Sequence, residues 1–181
     1  PLKSAPDNLE IRERELAGEF DPKIILAQIS GVYRRAPFFE STMSLMQDIL
    51  LFPSRNLFEY IYYSIESLRN RLQIGTPLVI CSSLDADHSL RGQDRVLKIC
   101  RALNAKKYVN PPGGRALYDN RAFLDKGIEL AFIEPNLIPY PQFGASFVPA
   151  LSILDVLMFN SAHRIREELL PAYEVVEPDT R

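Results

Sequence analysis

The strongest constraint on this chain lies between residues 76 and 134, where three short apolar runs alternate with stretches of helical period. The first, "TPLVICSS" (76–83), is continuous and β-branched, as a strand buried on both faces is. "KKYVN" (106–110) and "IELAFIE" (128–134) read as two further strands. Between them, Val96, Ile99, Cys100 and Leu103 recur at helical spacing within 91–104, and 119–126 reads as a helix closed by Gly127. Strands separated by helices predict a right-handed parallel β-α-β-α-β arrangement. The expected fold is therefore α/β: a small parallel Rossmann-like sheet with helices on both faces, preceded by a helical segment.

Ahead of the first run the pattern is helical. Asp21-Pro22 has the form of an N-cap followed by proline in the first turn, and Ile25, Ile29 and Val32 recur at helical spacing until Pro37. A second helix is expected from Phe38 to about Leu51, ended by Pro53. A third, capped by Ser54 or Asn56, carries Leu57, Ile61, Ile65, Leu68 and Leu72 on one face and stops at Gly75. After the third strand comes a proline-rich loop, "PNLIPYPQFGASFVP", and then "LSILDVLMFN" and "AHRIREELL" read as closing helices. The organisation predicted is a polar N-terminal segment over 1–21, one α/β domain over 22–170 (helical over 22–75, β-α-β-α-β with closing helices over 76–170) and a tail over 171–181.

Composition removes several function classes. The 181 residues are 46% hydrophobic and 24% charged, enough for one domain with a core. A formal net charge of −2 implies no general basic face for nucleic acid. No apolar run reaches the roughly 18 residues of a transmembrane helix. The opening stretch "PLKSAPDNLEIRERELAGEF" lacks the apolar region of a signal peptide, so a cytoplasmic protein is expected. Cys81 and Cys100 sit in apolar stretches and read as buried free thiols. With the distant His88 and His163 they give no zinc spacing, and neither a metal site nor a particular cofactor is implied.

Parallel α/β sheets bind ligands beyond the carboxyl ends of their strands. Here the first strand would deliver Ser82, Ser83, Asp85 and Asp87 to that rim. The second would deliver Asn110 and the Pro111-Pro112-Gly113-Gly114 loop. The third would deliver Glu134 and the loop carrying Tyr140 and Gln142.

The residues on this frame resemble a known family. "GQDRVLKICRALNAKKYVNPPGGRALYD", then "GIEL", "YPQ" and "FVPALSILDVLMFN", are similar to the WbqC-like protein family, over about Pro22 to Asn160. The spaced set is Asp94-Arg95, Gly113, Tyr118, Gly127-Ile128, Tyr140 to Gln142 and Ser152 to Asp155. Proteins of that family are encoded among bacterial genes for O-antigen and other surface polysaccharides. The resemblance implies a transferase acting on a nucleotide-linked or lipid-linked sugar. Two departures stand out. Asn110-Pro111 replaces the family's usual Ser-Gly. A preceding strand with a Gln-Pro…Tyr-Leu-Pro turn and an Asp-Val-Gln segment is not present, so a fragment, or a homo-oligomer or partner chain supplying that region, is expected.

Each candidate residue has a structural and a functional reading. Gly113 and Gly114 after two prolines make a tight turn, or a loop whose backbone N–H groups meet an anion. Arg115 beside them and Arg95 one helix earlier would add bidentate donors. Asp94-Arg95 can equally be favourable charge at a helix start with the arginine solvated; the family resemblance favours a ligand role for Arg95. Ser152 and Asp155 have capping-box spacing with Asp in place of Glu, yet Asp155 lies inside "SILDVLMF", where a charge needs a partner. It would orient Arg95 or Arg115 or, less readily, serve as a base. Tyr140 and Gln142 either wrap the sheet edge or stack on a sugar and read its polar edge. His88 reads as a solvated loop residue or a general base, and His163 as structural. Tyr60, Tyr62 and Tyr63 read as packing.

The expectation that follows is an acyl- or glycosyl-transferase of surface-polysaccharide biosynthesis. It would bind a phosphate-bearing sugar or nucleotide at Ser82, Ser83, Arg95, Asn110, Gly113, Gly114, Arg115, Tyr118, Tyr140 and Gln142. The alternative is a non-catalytic nucleotide-sugar-binding or assembly subunit, favoured by the absence of a nucleophile motif.

Overall fold

The computed structural model describes residues 1–85, 89–144 and 146–178. In chain order the regular elements are α1 (Pro22–Tyr33), α2 (Phe39–Leu50), α3 (Leu57–Arg71), α4 (Gly92–Ala102), β1 (Lys107–Asn110), α5 (Asn120–Leu124), β2 (Glu129–Pro135), α6 (Ile153–Phe159), α7 (Ala162–Arg164) continued by a π turn (Ile165–Leu169), and β3 (Tyr173–Val176). Short 3-10 turns cover Ile11–Glu13, Cys81–Ser83 and Pro112–Leu117. The chain forms two compact units. A helical unit comprises Pro1–Gly75 and Ile138–Pro171; a sheet unit comprises Thr76–Leu137 and Ala172–Arg181.

The helical unit starts where the sequence signals say. The Asp21 carboxylate accepts from the Lys23 N–H at 2.9 Å with Pro22 in the first turn of α1. Asn56 caps α3 by accepting from the Glu59 N–H at 3.1 Å. The end of α3 differs from expectation. It closes before Gly75, with Gln73 at φ 54° and with the Gln73 and Ile74 N–H groups donating to the carbonyls of Asn70 and Arg69. This is a Schellman cap built on glutamine, so Gly75 is not its stop. Ile29, Met43, Leu50 and Met158 join α1, α2 and α6 in one buried cluster; Leu45, Ile49, Leu72, Leu157 and Ile165 form another. On the α3 face only Leu72 is buried, and Ile61 and Ile65 stay exposed. Residues 1–21 are pinned to this unit: Leu2 bridges Leu16, Glu15 bridges Asn56, and the Arg14 guanidinium donates to the carbonyls of Leu9 and Asp7.

The sheet unit is mixed, with strand order β1-β2-β3. β1 and β2 are parallel, with Tyr108 opposite Leu130 and Asn110 opposite Phe132; β3 is antiparallel to β2, with Val176 opposite Phe132. One row of side chains, Tyr108, Leu130, Phe132 and Val176, packs on Leu97 and Cys100 of α4 and Phe123 of α5. Gly127, at φ 69°, closes the turn after α5, as expected.

The three-stranded parallel Rossmann-like sheet is corrected on two points. Residues 76–83 form no strand; Leu78 and Val79 are 39% and 48% exposed, and Cys81–Ser83 is a 3-10 turn. An apolar run satisfies strand composition, but a strand buried on both faces needs partners and cover, which this stretch lacks among the described residues. The third strand comes instead from the stretch read as a tail, where the β-branched and aromatic "YEVV" pairs with β2. Cys81 is consequently exposed and Cys100 alone is buried; both are free thiols. No helix among the described residues is long and apolar enough to cross a membrane.

Candidate functional site

The sheet unit gathers several expected residues where β1 ends. Beyond Asn110 the chain turns at Pro111 into the 3-10 turn, and the Gly114 N–H donates to the Pro111 carbonyl at 3.0 Å. A Cβ on Gly114 would stand 1.8 Å from Asn110 Nδ2, 3.1 Å from Asn110 Cγ and 3.2 Å from Tyr118 Cε2. Glycine is needed there because the protein's own Asn110 and Tyr118 fill the space. The Gly114 amide is therefore not the open anion donor that the loop suggested. Gly113 is exposed, and an added Cβ there meets nothing within 4 Å. Gly114→Ala is expected to cost about 1–3 kcal/mol by overpacking, while Gly113→Ala is near neutral. Thermal melts of the two variants, with Asn110→Ser/Gly114→Ala as the partial rescue, check this.

Asn110 is held by its neighbours. Its Oδ1 accepts from the Tyr108 hydroxyl at 3.1 Å and its Nδ2 donates to the Pro111 carbonyl at 3.3 Å. The Tyr108 and Tyr118 hydroxyls lie 3.4 Å apart, and both rings pack on Phe123. Burial, then the hydrogen bond to Tyr118, pushes the Tyr108 hydroxyl far above its usual range, so it stays neutral.

Beside this cluster opens a cleft of about 870 Å³, lined by Gln93, Arg115, Leu117, Tyr118, Arg121, Leu124 and Phe132 among others. The Arg115 guanidinium sits 5.1 Å from the centre of the Phe132 ring and pairs with Glu134. Asp119 Oδ1 accepts from the Arg121 N–H at 3.0 Å, and the Asp119 N–H donates to Gln93 Oε1 at 2.6 Å. The Arg121 side chain is exposed and has no hydrogen-bond or ion-pair partner among the described residues. Arg121 and Gln93 were not singled out from the sequence. Each sits in a stretch that reads simply as helix, and only the fold of the β1–α5 turn puts Arg121 on the same cleft lining as Arg115.

The other residues of the expected rim are placed differently. Arg95 is half-buried on α4, outside the cleft lining. Ser82 and Ser83 are exposed in the Cys81–Ser83 turn, where the Ser83 hydroxyl donates to the Ile80 carbonyl at 2.7 Å. The strand whose end they were to mark is not formed. Asp87 and His88 lie outside the described residues.

Asp155, Tyr140 and Gln142 meet in the helical unit. Ser152 caps α6 by accepting from the Leu154 N–H at 3.2 Å, but Asp155 does not complete the capping box. Its buried carboxylate accepts from the Tyr140 hydroxyl (2.7 Å) and Gln142 Nε2 (2.8 Å) on one oxygen and from the Tyr33 hydroxyl (3.0 Å) on the other. Gln142 also clasps Val148, accepting its N–H at 2.8 Å and donating to its carbonyl at 3.2 Å. Tyr140 is 8% exposed with its ring edge-on to Phe147, so it offers no open face for stacking on a sugar. The network ties the proline-rich loop to α6 and α1.

Burial first, and the hydrogen bond to Asp155 second, push the Tyr140 hydroxyl up to about 12; Tyr33 shifts the same way for the same causes. The fold holds the neutral phenol. Its contribution is intact below the ordinary tyrosine value of about 10 and is lost as pH rises through the raised one. Urea midpoints are expected to fall between about pH 10 and 12, less steeply in Tyr140→Phe than in wild type.

The structure thus defines a small mixed α/β protein with an arginine-bearing cleft in one unit and a buried carboxylate clasp in the other. The chain belongs to the WbqC-like protein family, whose model matches residues 1–167. The match is longer than the stretch over which the residues show the resemblance and takes in the N-terminal segment. The chain is also 30% identical over 88 residues to the "Uncharacterized protein Rv1507c" of Mycobacterium tuberculosis (strain ATCC 25618 / H37Rv), covering 48% of this chain and 38% of that protein. The aligned part is thus well under half the length of that relative. No solved structure matches.

Proposed function

We propose that this chain is a cytoplasmic transferase-type enzyme of bacterial surface-polysaccharide (O-antigen) biosynthesis whose sheet-unit cleft binds a phosphate-bearing sugar. Family membership supports the pathway. One observation carries the binding site: Arg115 and Arg121 line the same cleft as Tyr118, at the end of the parallel pair. Guanidinium groups present paired donors that match phosphate oxygens. A bound phosphate would compete with Glu134 for Arg115, while Arg121, exposed on the same lining, supplies a second cation. Asn110 and Gly114 set the position of Tyr118, whose hydroxyl faces the polar cluster. Transfer of an acyl or glycosyl group is the chemistry this reading implies.

A second reading, a non-catalytic binding or assembly subunit, is favoured by Asp155. Both of its oxygens are engaged by three donors, which leaves it a structural acceptor and a poor base.

A thermal-shift screen with sugar phosphates and nucleotide sugars tests the site. A ligand that binds only the folded protein stabilises it by about 2.7 kcal/mol at a hundredfold excess over its dissociation constant. The expected result is a rise in wild type that disappears in Arg121→Ala. No rise with any phosphate-bearing compound would overturn the reading. Release of free nucleotide or phosphate from a ligand that binds, once acceptor sugar is added, separates the enzyme from the binding subunit.

A further inference from the structure

We infer that the phosphate this cleft takes is carried on a long aliphatic chain rather than on a nucleoside. The inference rests on the anion site proposed above and adds the chemistry of what is attached to the anion. Leu117 and Leu124, 71% and 59% exposed, line the same cleft as Arg115 and Arg121. Ala116 and Pro178 extend that aliphatic lining. Single exposed leucines are ordinary on protein surfaces; two of them on the walls of a concavity with two guanidinium groups form an amphipathic site.

The aromatic inventory favours an aliphatic ligand body over a base. A nucleobase wants a free ring face on which to stack. Tyr118 is the tyrosine of the lining, and its ring is held edge-on to Tyr108 at 5.6 Å and to Phe123 at 5.8 Å. Phe132 is buried, with the Arg115 guanidinium over its ring. Phe132 thus has no open stacking face, and Tyr118, half-buried, exposes a smaller fraction of its surface than either leucine. Alongside Gln93, Asp119 and Asn120, the lining offers aliphatic surface for the body of the ligand and two arginines for its head. A phosphate or diphosphate ester of a long-chain alcohol satisfies both, with the sugar carried beyond the phosphate.

Isothermal titration of the full chain with geranyl phosphate, inorganic phosphate and uridine diphosphate tests this. Geranyl phosphate is expected to bind at least about tenfold tighter than inorganic phosphate, the gain from burying two or three methylene groups. In Leu117→Ser/Leu124→Ser the two affinities should converge, because both leucines are exposed and their loss leaves the fold intact. Arg121→Ala should weaken both ligands. Equal binding of geranyl phosphate and inorganic phosphate, or tighter binding of uridine diphosphate, would overturn the aliphatic inference while leaving the anion site standing. Persistence of the tenfold advantage in the double leucine variant would remove it from this cleft. No binding of any of the three would sink the anion site itself.

Discussion

Asp155→Ala is expected to destabilise the helical unit by about 3 kcal/mol or more, because it leaves several buried donors unpaired at once. The Tyr140 hydroxyl, the Tyr33 hydroxyl and the Gln142 amide all end on this carboxylate. Hydrogen bonds to a charged acceptor are worth about 1.5–3 kcal/mol each, and losing the acceptor exposes the desolvation cost of each donor. Their contributions overlap, so the sum is not expected in full. Asp155→Asn should cost less, since one carbonyl oxygen survives, but its amide then faces a donor. The order wild type, Asn, Ala in urea midpoint is the predicted result. An Asp155→Ala variant as stable as wild type would show that the clasp contributes nothing. The pH arm sharpens this: in Asp155→Asn the Tyr140 hydroxyl loses its charged neighbour, so it should ionise at lower pH than in wild type, read as tyrosinate absorbance.

Phe123→Ala should destabilise the sheet unit by about 3–5 kcal/mol, as large-to-small changes in a closed core do. Phe123 is 0% exposed, lies parallel to the Tyr108 ring at 5.6 Å and is met edge-on by Tyr118 at 5.8 Å. Its carbonyl also accepts from the N–H groups of Lys126 and Ile128, which steer the chain from α5 into β2. Emptying this position removes packing from both tyrosines, and Tyr118 borders the cleft. Ligand binding should therefore fall along with stability. Phe123→Leu, which fills most of the volume, should recover most of both. A cost below about 1 kcal/mol for the alanine variant would contradict close packing around this ring.

Much of this fold is local, and the local parts were legible. Asp21-Pro22 and Asn56 mark helix starts because their side chains bond N–H groups two or three residues away. β1 and β2 lie within one residue of the runs that predict them at either end, and Gly127 stands where a positive φ is needed. Asp155 within an apolar stretch signalled a buried carboxylate with partners; its partners proved to be tyrosines and a glutamine. What failed was non-local. "TPLVICSS" looks like a strand in isolation, but pairing depends on what else reaches it, and β3 from 173–176 provides the third strand instead. Gly114 looked cleared for a ligand, whereas the group filling its space is Asn110, four residues back in sequence and brought over it by the turn. Arg121 carried no motif, since Arg115, on the lining of the same cleft, is six residues away along a turn that periodicity does not describe.

The most direct test of the cleft assignment is to titrate the isotope-labelled protein with a sugar phosphate and follow its backbone amides by NMR. The proposed site predicts saturable shifts concentrated at residues 115–121 and at Gln93, lost in Arg121→Ala. Shifts centred on Tyr140, Gln142 and Asp155, with residues 115–121 unmoved, would contradict it.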